Sequence, residues 1–341
     1  MQRERGSQAR WLRSARFWVG IAAGVVAMYL AAGEVEPRAL LGALSRTNLL
    51  YLALALASYL LTNWAKARRW RLLFYPRDSA LRLRDCLSIV FVGQLANNVL
   101  PVRLGELARA YLIGEVGHVG KVFSFATTVV EKAFDSVMLL LLIALLAPFV
   151  QIPSWLARSS LLLSAALALL LVFLVVAVRQ RGRLLSWLEA LATRWPRLPL
   201  LPQLRRLLEA SQELEALDRA EVHVRLWGWS GLIWALAAAT NALTFRAIGL
   251  SVPPVAAPLL LIVLMAGGIV PSAPLQLGVF HYLCVLTLSL LGVAQDAALS
   301  YAILLHLVVY LPITVGGVLG LWWTNYDLAK VHALPQNRTK T

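Results

Sequence analysis

The chain is 341 residues long, 60% hydrophobic and only 14% charged. A soluble fold with that composition would lack the polar surface needed to cover its apolar side chains, so lipid is the expected solvent. The formal charge of +15 does not point to nucleic acid, because the basic residues come in short bursts between apolar runs and not on one soluble module.

Arg10, Arg13 and Arg16 precede the first apolar run, 17–32 (FWVGIAAGVVAMYLAA). A cleavable secretory signal ends in a small-residue cleavage site. Leu30–Ala31–Ala32–Gly33 is a poor one and more apolar runs follow, so this run reads as a first span near 15–33. A second span, near 48–65, is followed by a basic segment carrying Lys66, Arg68, Arg69, Arg71, Arg77, Arg82 and Arg84. Further spans are expected near 123–148, 159–178, 226–248 and 297–323. The stretch 159–178 carries no charge, and about 20 helical residues at about 1.5 Å each cross a hydrocarbon core of about 30 Å.

Loop charge sets the expected orientation. The N-terminal tail, the segment after the second span and the stretch 179–225 are rich in arginine, whereas 149–158 holds only Arg158 and 249–256 no charge at all. The basic loops and both termini are therefore expected in the cytoplasm, in a multi-pass protein of the cell (inner or plasma) membrane.

Two regions do not fit a simple count. The run 85–101 (DCLSIVFVGQLANNVLP) is apolar but flanked on both sides by basic, cytoplasmic-type sequence, and it is broken at Asn97, Asn98 and Pro101. A re-entrant element over 85–112 satisfies both facts, provided that protein or water meets the freed backbone. The second region, 255–293, is interrupted by Gly267–Gly268, Pro271 and Pro274 and reads as two spans or as a re-entrant hairpin. NNVLPVRLGE (97–106) and GGIVPSAPLQLGVFH (267–281) share an order of small or polar residues, an apolar pair, a proline, a Leu-Gly step and an ionisable residue. Paired interruptions in opposite halves point to inverted repeats.

The expected fold is thus all-α: a polytopic transmembrane helical bundle with six spans, two broken or re-entrant regions and two inverted pseudo-repeats. Residues 1–341 form one membrane domain, with a first half over 1–178, a linker over 179–225 and a second half over 226–325. The linker has amphipathic helical spacing on both sides of a proline-rich break and suits the anionic inner leaflet.

Candidate chemistry gathers at the first break. After Pro101, a helix would place Arg103, Glu106 and Arg109 at i, i+3 and i+6, an Arg–Glu–Arg ladder with surplus positive charge beside Asn97 and Asn98. Arginine grips phosphate through two N–H groups at once, and a helix N-terminus adds anion affinity. An interfacial helix held by ordinary salt bridges is the alternative. Glu131, Lys132 and Asp135 lie near the start of the span 123–148, with the two acids on one face. Each such charge near a bilayer centre costs about 2.5–3.5 kcal/mol, so a polar pocket or snorkelling is implied. His281 follows the second break, where it could meet an anion or pass a proton. His306, within the last span, reads as a hydrogen-bonding partner of a neighbouring helix. Asn63, Asn241 and Arg246 read as interfacial anchors, and the pairs Trp227/Trp229 and Trp322/Trp323 as boundary markers. Cys86 and Cys284 read as small buried hydrophobes. No Cys/His metal spacing, Walker loop, GxSxG or HExxH motif occurs. No metal, cofactor or energy-supplying nucleotide is expected.

The block Asn97–Asn98…Pro101–Val–Arg103–Leu–Gly105–Glu106…Arg109 resembles the flippase-like membrane domain of lysylphosphatidylglycerol synthases, the UPF0104 family. Arg69–Trp70–Arg71, Glu131–Lys132…Asp135 and Pro271–Ser–Ala–Pro274…Gly278…His281 support the likeness, which covers roughly 15–325. It implies a multi-span protein with two pseudo-symmetric re-entrant elements that moves charged lipids between leaflets, as the membrane part of the fused synthases moves aminoacylated phosphatidylglycerol. From the charges beside the broken helices, the lipid headgroup site is expected to be formed by Asn97, Asn98, Arg103, Glu106, Arg109, Glu131, Lys132, Asp135 and His281. In the family a glycine-rich turn follows the second proline, whereas here Leu275–Gln276 stand in its place. Only a short tail follows Trp323, so the soluble synthase domain is not expected. The leading reading is a lipid translocase and not an enzyme, moving an anionic or aminoacylated phospholipid or a polyprenyl-linked lipid between leaflets, with anionic membrane lipids as partners. An oligomer and a lipid-modifying enzyme partner are compatible with it. A membrane-embedded transferase using Glu131 and Asp135 and a non-transporting scaffold are the alternatives.

Overall fold

A computed structural model describes residues 45, 47–99, 104–149, 180, 183, 186, 187, 190, 219–267 and 274–324. The spans expected near 15–33 and 159–178, most of the linker, and Pro101, Arg103 and Pro271 lie outside the described residues. Those described form eight α-helices and no strand. In chain order the helices are α1 (Leu49–Leu72), α2 (Leu83–Val99), α3 (Gly105–Val116), α4 (Lys121–Leu146), α5 (Ala220–Ala247), α6 (Ala256–Gly267), α7 (Val279–Ser289) and α8 (Gln295–Thr324).

Local chemistry accounts for several ends. Asn48 caps α1, its Oδ1 accepting the Leu50 N–H at 3.0 Å and the Tyr51 N–H at 3.4 Å. Arg69 and Arg71 close the same helix against its negative end, and α5 carries Glu221 in its first turn and Arg246 in its last. The helix α8 continues through Pro312. It is long and apolar enough to cross a membrane by length and composition, the one such helix among the described residues.

The expected spans 48–65, 123–148, 226–248 and 297–323 are realised as α1, α4, α5 and α8. Helix α1 runs on to residue 72 and α5 starts at 220, so each extends into basic sequence that hydropathy had assigned to loops. Both interrupted regions are helix–break–helix: α2 and α3 flank the first break, and α6 and α7 the second, with a 3-10 turn at Pro274–Gln276. Several threonine hydroxyls inside the helices are satisfied locally. Thr62, Thr128, Thr240, Thr244, Thr287 and Thr314 each donate to the carbonyl four residues earlier.

The described chain divides into two compact units. One takes the described residues up to Asn63, Phe91–Gly105 and Trp234–Gly320; the other takes Trp64–Val90, the described residues of Glu106–Ile233 and those from Leu321 onward. The first unit has a core of Phe245, Leu260, Phe280, Leu288, Tyr301 and neighbours, with the Phe245 and Tyr301 rings stacked at 4.2 Å. Close packing is the cohesive force available where lipid replaces water. Gly316 and Gly317 let α8 meet α2, since a Cβ at either would come within 2.9 Å of the Phe91 ring or 2.6 Å of the Leu95 Cβ.

Two sequence expectations are corrected in this unit. Asn63 and Asn241 are not interfacial anchors but buried connectors. Asn63 accepts from Gln94 Nε2 at 2.6 Å and donates to the Tyr59 carbonyl, while Asn241 donates to the Ala257 carbonyl at 3.0 Å. An amide in an apolar interior needs partners on both its oxygen and its nitrogen, and these helices supply them. Arg246 is exposed, and so are Trp322 and Trp323 of the second unit. The two cysteines are buried and unpaired.

Candidate functional site

The second unit is organised around charge. The last turns of α1 supply Arg69 and Trp70, and α3 supplies Glu106 and Arg109. Helix α4 adds Thr127, Glu131, Lys132 and Asp135, and α5 adds Ser230. On α4 the i,i+4 spacing sends Glu131 and Asp135 to one side, and Lys132, one residue on, lies mostly exposed.

Glu131 is the hub. Its Oε2 accepts from Arg109 Nη2 at 2.7 Å and its Oε1 from Arg69 Nη2 at 3.3 Å, with all three side chains at least nine-tenths buried. Arg69 Nη1 donates to Asp135 Oδ1 at 2.8 Å and to Ser230 Oγ at 3.0 Å. Arg109 Nη1 reaches Glu106 Oε2 at 3.3 Å, and Lys132 Nζ reaches Glu106 Oε1 at 3.0 Å. The Arg109 guanidinium lies 4.2 Å from the centre of the Trp70 ring, a cation–π contact. Trp70 Nε1 in turn donates to Thr127 Oγ1 at 3.1 Å, which fixes the indole plane beneath the cation.

Six charges therefore form one connected network, three cations (Arg69, Arg109, Lys132) against three carboxylates (Glu106, Glu131, Asp135). A buried charge that loses its partner costs about 3–5 kcal/mol, so such a network is stable as a whole and poorly tolerant of single losses. It is not saturated. The Nε–H groups of Arg69 and Arg109 are buried and have no hydrogen-bond partner in the protein. Each guanidinium thus retains a donor for an oxygen acceptor such as a phosphate or a water molecule.

Of the residues singled out in sequence, Glu106, Arg109, Glu131, Lys132 and Asp135 are brought together. Arg103 lies outside the described residues, so the ladder is described only at its Glu106–Arg109 rung. The carboxylate that ties two guanidiniums is Glu131 and not Glu106, and Glu106, Glu131 and Asp135 together face the three cations. Asn97 has a structural task, its Oδ1 accepting the Gly105 N–H at 2.7 Å across the first break, and Asn98 is half-buried beside it on α2. A Cβ on Gly105 would collide with the Gly93 carbonyl and the Asn97 side chain, so only glycine fits at the start of α3. His281 belongs to the first unit, where it packs beside His306. Arg69 was not among the site candidates. In sequence it stands among the arginines of a basic segment and in the Arg69–Trp70–Arg71 run that supports the family likeness, and neither signal pairs it with the two acids on α4. Among the described residues no three His, Cys, Asp or Glu side chains are placed to hold one metal ion.

A UPF0104 membrane protein of Methanothermobacter thermautotrophicus is 23% identical over 313 residues, covering 87% of this chain and 92% of the relative. No solved structure matches. The family model described as the lysylphosphatidylglycerol synthase TM region matches residues 17–317. The chain belongs to that family of multi-pass membrane proteins.

Proposed function

We propose that the chain is a lipid translocase of the cell membrane, with cytoplasmic termini, no energy source of its own and no catalytic step. The observation that carries this reading is the buried network around Glu131, in which Arg69 and Arg109 each keep an unpartnered Nε–H. A lipid phosphate supplies the acceptor that these donors lack, while the acyl chains stay in the bilayer. The carboxylates of Glu106 and Asp135, about a quarter exposed, are available to the amine of an aminoacylated headgroup. Breaks between α2 and α3 and between α6 and α7 are the kind of interruption that transporter helices use at a substrate path.

The transferase alternative requires Glu131 or Asp135 as an unencumbered base. Both are ion-paired to Arg69, which favours the translocase reading.

Reconstitution into vesicles with fluorescent phospholipids in one leaflet tests the proposal. Exchange between leaflets is expected with the intact protein and is expected to fall at least about tenfold in the Arg103→Ala/Arg109→Ala variant, a loss equivalent to about 1.4 kcal/mol. Unchanged exchange in a folded variant defeats it. Turnover of a lipid-linked donor by the purified protein would instead support the transferase.

A further inference from the structure

The second break has a construction of its own within the first unit. Leu275 and Gln276 adopt φ of 61° and 54°, and Gly278 follows at 83°. This is the left-handed backbone that a glycine-rich turn takes without strain. Leucine and glutamine take it at a cost of about 1–2 kcal/mol each, and it persists only where neighbouring groups enforce it. The enforcing contact is on α8, where His306 Nε2 lies 3.0 Å from the Leu275 carbonyl. A carbonyl oxygen only accepts, so Nε2 carries the proton and the His306 Nδ1 keeps a lone pair.

Beside this latch sits His281. It is 4% exposed and its Nδ1 makes no hydrogen bond. Its ring centre lies 4.9 Å from that of His306. The rest of the setting is aromatic: Tyr310 stacks on His306 at 4.2 Å, and Phe280 stands edge-on to both histidines at 5.8 and 5.4 Å. A buried ring nitrogen without a partner costs about 1–3 kcal/mol and calls for a ligand. The smallest ligand that imidazole lone pairs take is a proton.

We propose that His281 and His306 form a proton-binding site that controls the opening of the turn at residues 274–278. The inference does not depend on which lipid, if any, the protein moves. The titratable groups on the packed elements are Tyr282 and Cys284 on α7 and Asp296, Tyr301 and Tyr310 on α8; α5 contributes Arg246, which is exposed. Helix α6, the turn at Pro274–Gln276 and the Phe91–Val99 part of α2 contribute none. Asp296 is ten residues before His306, about 15 Å along α8. No carboxylate among them is placed to neutralise a proton held by the pair. With no such carboxylate among the described residues, the added cation is met by water, and an uncompensated charge in such a core is strongly disfavoured until water arrives. The break, already strained at Leu275 and Gln276, is the segment that yields. Protonation leaves the His306 Nε2–H in place, so the turn opens because water is drawn to the uncompensated charge, and proton loss removes that demand and lets it close.

Hydrogen exchange of the full-length protein in lipid nanodiscs, corrected for the intrinsic pH dependence of amide exchange, tests this between pH 5 and 8. The amides of residues 274–283 are expected to lose protection at least about fivefold through one inflection as pH falls, while the central turns of α8 stay protected. His281→Gln is expected to leave the wild-type high-pH protection unchanged across the range. His306→Gln, whose amide can still donate to the Leu275 carbonyl, shows whether a folded latch without imidazole also loses the inflection, as expected. A flat corrected profile in the wild-type protein overturns the proposal without reference to any variant. So does an unshifted inflection in the His281→Gln/His306→Gln protein.

Discussion

Arg109 donates to Glu131 at 2.7 Å from a neighbouring helix, a shorter contact than the 3.3 Å it makes to Glu106 one turn away on its own helix. The tertiary partner is thus the closer one, and the same carboxylate also receives Arg69. Helices α1, α3 and α4 are joined through one side chain.

It follows that Glu131 is the least replaceable acid in the network. Glu131→Gln keeps the shape but leaves two guanidiniums without their shared charge, and a loss of about 3–5 kcal/mol is expected. Thermal or denaturant melting in a mild detergent measures it. The Arg109→Met/Glu131→Met pair is expected to be less damaging than the sum of its single changes, because contacting partners couple by about 0.5–3 kcal/mol.

Arg69 is expected to reject lysine. Its two Nη atoms serve Asp135, Glu131 and Ser230 at once, and an ammonium on a flexible stem is a point charge that cannot hold that fork. Arg69→Lys should slow leaflet exchange of fluorescent phospholipid by about tenfold or more, comparable to loss of about 1.4 kcal/mol at the site. Trp70→Leu removes the ring beneath Arg109 and should cost about 0.5–2 kcal/mol of stability, while Trp70→Phe retains part of it.

Gly105 offers a purely steric test. Its Cβ position is occupied by the Gly93 carbonyl as well as by the Asn97 side chain, so Gly105→Ala should disrupt the first break. Trimming Asn97 to alanine removes one of the two obstacles and also the hydrogen bond to the Gly105 N–H, worth about 1 kcal/mol, so Gly105→Ala/Asn97→Ala should be no better than Gly105→Ala. Recovery of folded protein on size-exclusion chromatography compares them.

How much of this was readable beforehand follows from which forces act locally. Apolar run length revealed α1, α4, α5 and α8, because crossing lipid is a property of a single segment. It failed at the cytoplasmic-type end of α1, where hydropathy falls at Lys66 while the helix continues to Leu72. The reason is Arg69, which is polar by composition yet nearly inaccessible once Glu131, Asp135 and Ser230 surround it. Those partners lie 62 to 161 residues away in sequence, and no local pattern specifies them. The Glu131/Asp135 face was visible from i,i+4 spacing, and so was the Glu106–Arg109 rung. Asn63 and Asn241 were misread because a lone amide near a span end looks alike whether it meets headgroups or a second helix. Proline and glycine announced both breaks, but not that Leu275 and Gln276 take up the left-handed conformation of a glycine turn.

That last feature yields a prediction of gain and not loss. Leu275 holds φ at 61°, where a side chain is unfavourable by about 1–2 kcal/mol and glycine is not. Its side chain also packs at the edge of the core, and removing it forfeits part of that contact. Gln276, at 54° and half-buried, is polar and adds no apolar side chain to that core. Gln276→Gly should therefore stabilise the protein, by up to about 1 kcal/mol after the added chain entropy of glycine is subtracted, whereas Leu275→Gly should be closer to neutral. Melting midpoints of the two variants at neutral pH decide it. A fall for Gln276→Gly would mean that the positive φ is not strained in the folded protein, and the account of the latch at His306 would lose its mechanical basis.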